Sequence, residues 1–167
     1  MTTATAHATQ ASIEFERRYE SAAVEDLWDL WTTKKGFESW WGPKGFRVEV
    51  RKLELRVGGE LLYDMIAAAP EEIAAMERMN MPKTHETRGT FTRIEPFKHL
   101  EITHLIDFIP GVQPYENRIR VEFSKTGNSA EMVITLQPHH DPEWTRMAKM
   151  GLESQLTKVP AALAARR

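Results

Sequence analysis

The chain changes its periodicity within Trp40-Trp41-Gly42-Pro43-Lys44-Gly45-Phe46-Arg47-Val48-Glu49-Val50. Upstream, from Ala23, apolar residues recur every three or four positions, as on one face of a helix, and a second short helix is expected over residues 34–41. Glycine and proline follow the tryptophan pair and interrupt the helical pattern. From Phe46 onward apolar and charged residues alternate, which is the period of a strand with one wet face.

The same alternation predicts seven strands in all. The first begins at Ile13, and Arg17 falls on the side of this strand that otherwise carries apolar residues. A shift of phase near Lys52 predicts a β-bulge in the second strand. The remaining strands are expected at 61–66, 84–94, 99–108, 115–125 and 129–137, with turn sequences between them.

A long helix is predicted from Pro142 to Leu163, with Pro160 as a point where it kinks or ends. Only this helix is long enough to cover the apolar face of a sheet built from consecutive antiparallel strands. We therefore expect an α+β helix-grip fold, in which a curved antiparallel sheet wraps around the C-terminal helix and two short helices follow strand one. Residues 12–165 are expected to form one domain, and residues 1–11 a flexible tail.

The composition narrows the classes of function. The 167 residues include 24 acidic and 22 basic side chains, well mixed, with a net charge of -2, so no basic surface for nucleic acid is predicted. The absence of cysteine excludes disulfides and thiolate metal sites. The sequence shows neither a secretory signal nor the roughly 20 consecutive apolar residues of a membrane helix. We expect a cytoplasmic protein that does not insert into membranes.

Three motifs carry a resemblance to a known family. Residues 40–46, the tryptophan pair followed by Gly-Pro, resemble the heat-shock-protein-90 ATPase activator-like family of the START/Bet-v-1-like (SRPBCC) superfamily. Residues 54–59 look like the family's Asp-x-Arg-x-Gly-Gly, with glutamate for aspartate and valine for the common proline. Residues 89–96 resemble its hairpin signature. Where the family has Gly-Trp on the long helix, this chain has Gly151-Leu152.

The resemblance implies the helix-grip fold and leaves three functions open. The first is binding of a small hydrophobic or amphipathic molecule in a cavity between the sheet and the C-terminal helix. The second is a chaperone-interacting, ATPase activator-like module, and a homodimer contact is also kept open. The third is an enzyme similar to a polyketide cyclase or hydrolase, using His104 with Tyr63 or Tyr115 as acid and base. No cofactor is expected.

His104 is the most informative single residue. It lies in a stripe of alternate positions from 100 to 108 whose other members are apolar, so its ring should point inward. If Ile94 opposes His99 across the preceding turn, Gly89 faces His104. A buried ring requires a hydrogen-bonding partner, so His104 is either a satisfied core residue or a pocket group that orients a ligand or moves a proton.

The predicted ligand-binding residues are those expected on the inward faces of the sheet and the C-terminal helix. They are Arg17, Trp41, Tyr63, Phe91, His104, Tyr115, Asn117, Met132, Ile134, Met147, Gly151 and Leu156. The tryptophan pair also fits a role as core anchors, and residues 139–141 (His-His-Asp) fit a solvated turn better than a metal site. No residue is assigned to catalysis or to a metal.

One insertion interrupts the strand pattern near residues 70–81. Pro70 suits a first helical position, and Asn80 with Pro82 suits a helix stop. The apolar side of this short helix is largely methionine, which adapts to varied shapes. We expect either a lid over the pocket or a satellite cluster that extends the core.

Overall fold

The second to the seventh strand pair in sequence, and the first strand pairs with the seventh to complete one seven-stranded sheet. The computed structural model describes residues 11–166, so the predicted tail, residues 1–11, lies almost entirely outside the described part. The strands are β1 (Ile13–Glu20), β2 (Phe46–Leu53), β3 (Glu60–Ala67), β4 (Thr84–Glu95), β5 (His99–Ile106), β6 (Tyr115–Thr126) and β7 (Ser129–Leu136). Their order is β1-β7-β6-β5-β4-β3-β2, and every neighbouring pair is antiparallel.

The helices stand between and after these strands. They are α1 (Val24–Thr32), α2 (Lys34–Trp40), α3 (Pro70–Arg78), α4 (Pro142–Leu156) and α5 (Val159–Ala164). The predicted α+β helix-grip fold is confirmed, with two short helices after the first strand and the C-terminal helix against the curled sheet. Within residues 11–166 we find no helix that is both long and apolar enough to cross a membrane.

The C-terminal helix differs from the prediction in one respect, because it divides into α4 and α5. Pro160 has no backbone N–H to donate to the carbonyl of Leu156, four residues earlier, so a continuous helix would leave that carbonyl without its usual donor. α4 ends at Leu156, and α5 begins at Val159 with the proline in its first turn. Both helices contribute side chains to the core.

Two bulges set the register of the sheet. The predicted bulge of β2 is confirmed, since the pairing with β3 shifts between Val50 and Lys52. The expected pairing of Ile94 with His99 is wrong, because Ile94 pairs with Leu100. A second shift, between Phe91 and Arg93, absorbs one residue, and Gly89 is therefore opposite His104 as predicted.

The core is filled unevenly along the inner face of the sheet. α1 packs against β6 and β7, where Trp28 meets Phe123 edge to face with ring centroids 5.3 Å apart. At the corner between α1 and α2, the rings of Trp31 and Trp40 lie 4.9 Å apart. This half of the interior is closed by aromatic packing, and the remaining half, under α4, stays open.

Candidate functional site

A cavity of about 430 Å³, partly open to solvent, lies between the sheet and α4. Its wall is mainly apolar and comes from the α2–β2 connection, from all strands except β1, from α4 and from the segment around α3. Representative apolar residues are Trp41, Phe46, Met65, Ile119, Leu136 and Leu152. Among the described residues that line it there is no aspartate, glutamate, lysine or arginine.

A chain of three side chains forms the polar base of the cavity. Trp41 Nε1 donates a hydrogen bond to Tyr63 Oη at 3.1 Å. Tyr63 Oη lies 3.1 Å from His104 Nε2. The rings of Trp41 and His104 are nearly parallel, at 14°, with centroids 6.4 Å apart. We call this group the Trp41–Tyr63–His104 relay.

A glycine makes the relay geometrically feasible. Tyr63 is on β3 and His104 on β5, with β4 between them, so their backbones are separated by two strand spacings, roughly 10 Å. The β4 residue opposite His104 is Gly89. A Cβ atom at this position would lie 3.1 Å from Ile102 Cγ2 and 3.4 Å from His104 Cδ2, so a side chain here would crowd the ring.

The proton positions of the relay can be assigned from its donors and acceptors. An indole N–H can only donate, so Tyr63 Oη accepts from Trp41, and we assign the tyrosine proton to the bond with His104 Nε2. His104 Nε2 is then an acceptor, and the neutral ring carries its hydrogen on Nδ1. Burial, with a smaller contribution from the charge of His139, lowers the pKa of His104 to about 4. Burial also raises the pKa of Tyr63, so both groups are neutral at pH 7.

Two amide side chains add to the polar lining. Asn117 is paired with His104 across β5 and β6 and is only 4% exposed. Its Nδ2 donates to the carbonyls of Gln137 at 3.0 Å and Pro138 at 3.2 Å. On the helix side, Gln155 Oε1 accepts from the backbone N–H of Gly42 at 3.0 Å, which ties α4 to the α2–β2 connection.

A second polar group lies at the edge of the cavity. Tyr115 Oη is 2.6 Å from His139 Nδ1 and 3.0 Å from His140 Nδ1. His140 Nε2 is 3.2 Å from Asp141 Oδ2, and Asp141 caps α4 by accepting from the N–H of Trp144 at 2.7 Å. The two histidines therefore connect the end of the sheet to the start of α4. Within residues 11–166 no cluster of three or more potential metal ligands is found.

Six of the predicted ligand-binding residues line the cavity. These are Trp41, Tyr63, His104, Asn117, Met147 and Gly151. The other six lie elsewhere, for two reasons. Four are on inward faces but within the filled half of the core, where they are almost completely buried, namely Phe91, Met132, Ile134 and Leu156.

The last two predicted residues lie outside the lining because of their local contacts. Tyr115 is held by the two histidines at the edge. Arg17 points its guanidinium along its own strand, donating to the carbonyl of Glu16 at 2.8 Å and lying 5.8 Å from the centroid of the Phe15 ring.

Sequence reasoning missed four polar lining residues: His85, Thr87, His139 and Gln155. A signal was present for Gln155, which is polar but lies on the helix face that carries Leu152 and Leu156. The strand period also predicts an inward Thr87, two positions before Gly89. His139 follows the end of β7, where no period applies.

Comparisons with known proteins agree with this architecture. The family model described as Activator of Hsp90 ATPase homolog 1-like protein matches residues 21–164. No curated protein matches the sequence significantly.

Several solved structures share the fold. A crystal structure of an AHSA1 protein from Silicibacter pomeroyi has a TM-score of 0.72 at 20% identity, covering 94% of this chain and 100% of that chain. A crystal structure from Chromobacterium violaceum has a TM-score of 0.72 at 18% identity, covering 91% and 96%. A solution structure from Staphylococcus epidermidis has a TM-score of 0.71 at 16% identity, covering 95% and 93%. At these identities the likeness establishes the fold alone.

Proposed function

Because this chain belongs to the family of Activator of Hsp90 ATPase homolog 1-like proteins, a family with the helix-grip fold, we propose that it binds a small, mainly apolar molecule between the sheet and α4. The observation that carries the proposal is the open apolar cavity with the Trp41–Tyr63–His104 relay at its base. Its volume of about 430 Å³ lies within the range of small-molecule sites, which typically combine an apolar wall with a few orienting polar groups.

The protonation of the relay favours binding over acid–base catalysis. A general base works best when its pKa is near the working pH. The pKa of His104 is about 4, so its ring is a weak base at neutral pH, and the raised pKa of Tyr63 makes that hydroxyl a weak acid. The cyclase or hydrolase alternative with Tyr115 has less support, since Tyr115 bonds the histidines at the edge instead of His104.

A cavity-filling substitution tests the proposal. Leu152→Trp places an indole in the wall of the cavity, and we expect the affinity for a fluorescent apolar probe to fall at least roughly tenfold. The matched control is Met150→Trp on the same helix, because Met150 is 56% exposed and does not line the cavity. Equal probe affinity in wild type and a folded Leu152→Trp variant would refute binding in this cavity. If Leu152→Trp weakens binding as expected, native mass spectrometry of the protein purified from its own host identifies the molecule that it retains.

The chaperone alternative predicts a different outcome for the same two variants. A module that contacts a chaperone through its surface should keep its effect on the chaperone's ATPase rate in Leu152→Trp. A small-molecule carrier should show no such effect in either variant. Measuring that rate with the chaperone of the same host therefore separates the two functions.

Under the proposed function, α3 and the residues after it act as a lid. Met76, Met81 and Pro82 line the cavity, and no residue of α3 is buried. A helix of nine residues is marginal on its own, so its position depends on the contacts it makes with the rest of the chain.

A further inference from the structure

One hydrogen-bond donor at the base of the cavity has no partner in the described part of the chain. With the Tyr63 proton assigned to His104 Nε2, the proton of the neutral His104 ring lies on Nδ1. Nδ1 makes no hydrogen bond within residues 11–166, and it is not one of the polar atoms sealed from solvent without a partner. Since His104 lines the cavity, this N–H is available to a molecule inside it.

An unpaired acceptor lies beside this donor. The Asn117 amide nitrogen lies within hydrogen-bond distance of the carbonyls of Gln137 and Pro138, which assigns the orientation of the amide. Asn117 Oδ1 is left without a donor in the described chain, and it too is absent from the sealed atoms. Because Asn117 is the cross-strand partner of His104, the donor and the acceptor are neighbours on one face of the sheet.

The opposite wall adds a second unpaired donor. Gln155 is 5% exposed and lines the cavity, and its Nε2 is buried without an acceptor in the described chain. Its Oε1 is already held by the N–H of Gly42, so rotating the amide would lose that bond. Buried polar groups normally find partners, so Gln155 Nε2 calls for an acceptor from outside the described chain, and His104 Nδ1 and Asn117 Oδ1 remain open to polar atoms of a bound molecule.

The absence of charged side chains from the described lining limits which chemical groups can pair with these polar atoms. The described lining residues include no charged side chain that could pair with an ion. Transfer of an unpaired carboxylate or ammonium into an apolar site is strongly unfavourable, whereas a neutral group that satisfies existing donors and acceptors is tolerated.

We propose that the cavity selects an uncharged apolar molecule with a carbonyl oxygen that accepts from His104 Nδ1 and an adjacent N–H or O–H that donates to Asn117 Oδ1, as in a primary amide. The inference rests on the proposed function and specifies the head group that the same cavity takes.

Three probes with one tail length test the head group. Decanamide, decanoate and decylamine are compared at pH 7.5 as competitors of a fluorescent apolar probe. We expect decanamide to compete at least about tenfold better than either ion. The neutral amide can pair with both the donor and the acceptor, whereas each ion would bring an unpaired charge into the apolar cavity. His104→Phe should reduce this preference to within about threefold.

A matched control uses the other histidine of the same strand. His99 is on β5 but does not line the cavity, and His99→Phe should keep the full preference for the amide. If His104→Phe does not fold, Tyr63→Phe replaces it, because loss of the hydroxyl frees the histidine to move its proton to Nε2. The preference should then fall as well.

The outcomes separate the two proposals. If the apolar probe binds and the three heads compete equally, the head-group inference fails and the proposed function stands. If the ions compete better than the amide, the inference also fails. If neither the probe nor any decyl compound binds to the wild type, the proposed function itself is wrong and the inference falls with it.

Discussion

At the scale of single residues, His104 shows how burial converts a titratable group into a fixed donor. The His104 ring lies parallel to the indole of Trp41 and accepts from the hydroxyl of Tyr63. Its burial lowers the pKa of His104 to about 4. A histidine with an ordinary pKa would be partly cationic near pH 6.5 and would repel the Tyr63 proton. The low pKa instead keeps the His104 ring uncharged across the neutral range.

This shift predicts that stability depends on pH. Between pH 4 and 6.5 the unfolded chain binds more protons at His104 than the folded chain does. The free energy of unfolding therefore rises with pH in this window and decreases as the pH falls through it. The contribution is at most about 3 kcal/mol, from about 1.4 kcal/mol per pH unit. Burial lowers the pKa of His85 and His139 as well, which adds to the slope in the same direction.

Chemical denaturation at pH 7.5, 5.5 and 4.5 checks this prediction. The wild type should lose stability with acid more steeply than His104→Phe, which has no proton to bind at this position. Parallel losses in the two proteins would show that His104 titrates normally.

At the scale of elements, two helical glycines have opposite roles. In α2, a Cβ on Gly36 would lie 2.1 Å from the carbonyl oxygen of Asp29, so α1 and α2 approach each other too closely for any side chain. In α4, a Cβ on Gly151 would have Pro43 Cγ at 3.9 Å as its nearest neighbour, which is an ordinary contact.

Replacement by alanine is expected to have opposite effects on stability at these two glycines. Gly151→Ala should stabilise the protein by about 0.5 to 1 kcal/mol, the usual gain in helix propensity. Gly36→Ala should destabilise it by more than about 2 kcal/mol, because the propensity gain is smaller than the cost of a clash with backbone. Unfolding midpoints of the two variants decide the matter, and equal shifts would disprove the close approach of α1 and α2.

The tryptophans of the same corner give a second comparison. Trp40 Nε1 donates to the carbonyl of Leu30 at 2.8 Å, whereas Trp31 Nε1 is buried without an acceptor in the described chain. Both side chains are completely buried, so replacement by phenylalanine removes a similar apolar volume. We expect Trp40→Phe to cost about 1 kcal/mol more than Trp31→Phe, measured by chemical denaturation, because it also breaks a hydrogen bond. The reverse order would contradict this assignment.

At the scale of the whole molecule, local sequence predicts where the strands lie, but neither the pairing of β1 with β7 nor how the interior is filled. Alternation predicts the bulge at Lys52 and the inward position of His104, since both depend on neighbouring residues alone. It cannot predict that α1 fills the half of the core containing Met132 and Ile134, because this packing joins segments about 100 positions apart. The inward residues of a strand are therefore identifiable, and the subset that faces the cavity is not.

The segment between β3 and β4 is where the whole-molecule arrangement bears on function. Its start is fixed by hydrogen bonds from the N–H groups of Ala68 and Ala69 to the carbonyl of Gly45, both 2.9 Å. Its end is fixed by the N–H of Ala67, which donates to the carbonyl of Lys83 at 2.8 Å. Between these two points α3 has no buried residue, and local openings of such an element require little free energy.

Exchange kinetics of a bound apolar probe test whether this segment is a lid. Replacing residues 69–81 with a Gly-Asn turn should speed both entry and exit in stopped-flow measurements, with little loss of stability, because no buried contact of α3 is removed. Met81→Ala should have the same effect in smaller measure, since Met81 lines the cavity. Met79→Ala should leave the rates unchanged, because Met79 is 55% exposed and outside the lining. Unchanged rates in a folded deletion variant would assign the segment to packing alone, since entry would then occur without its movement.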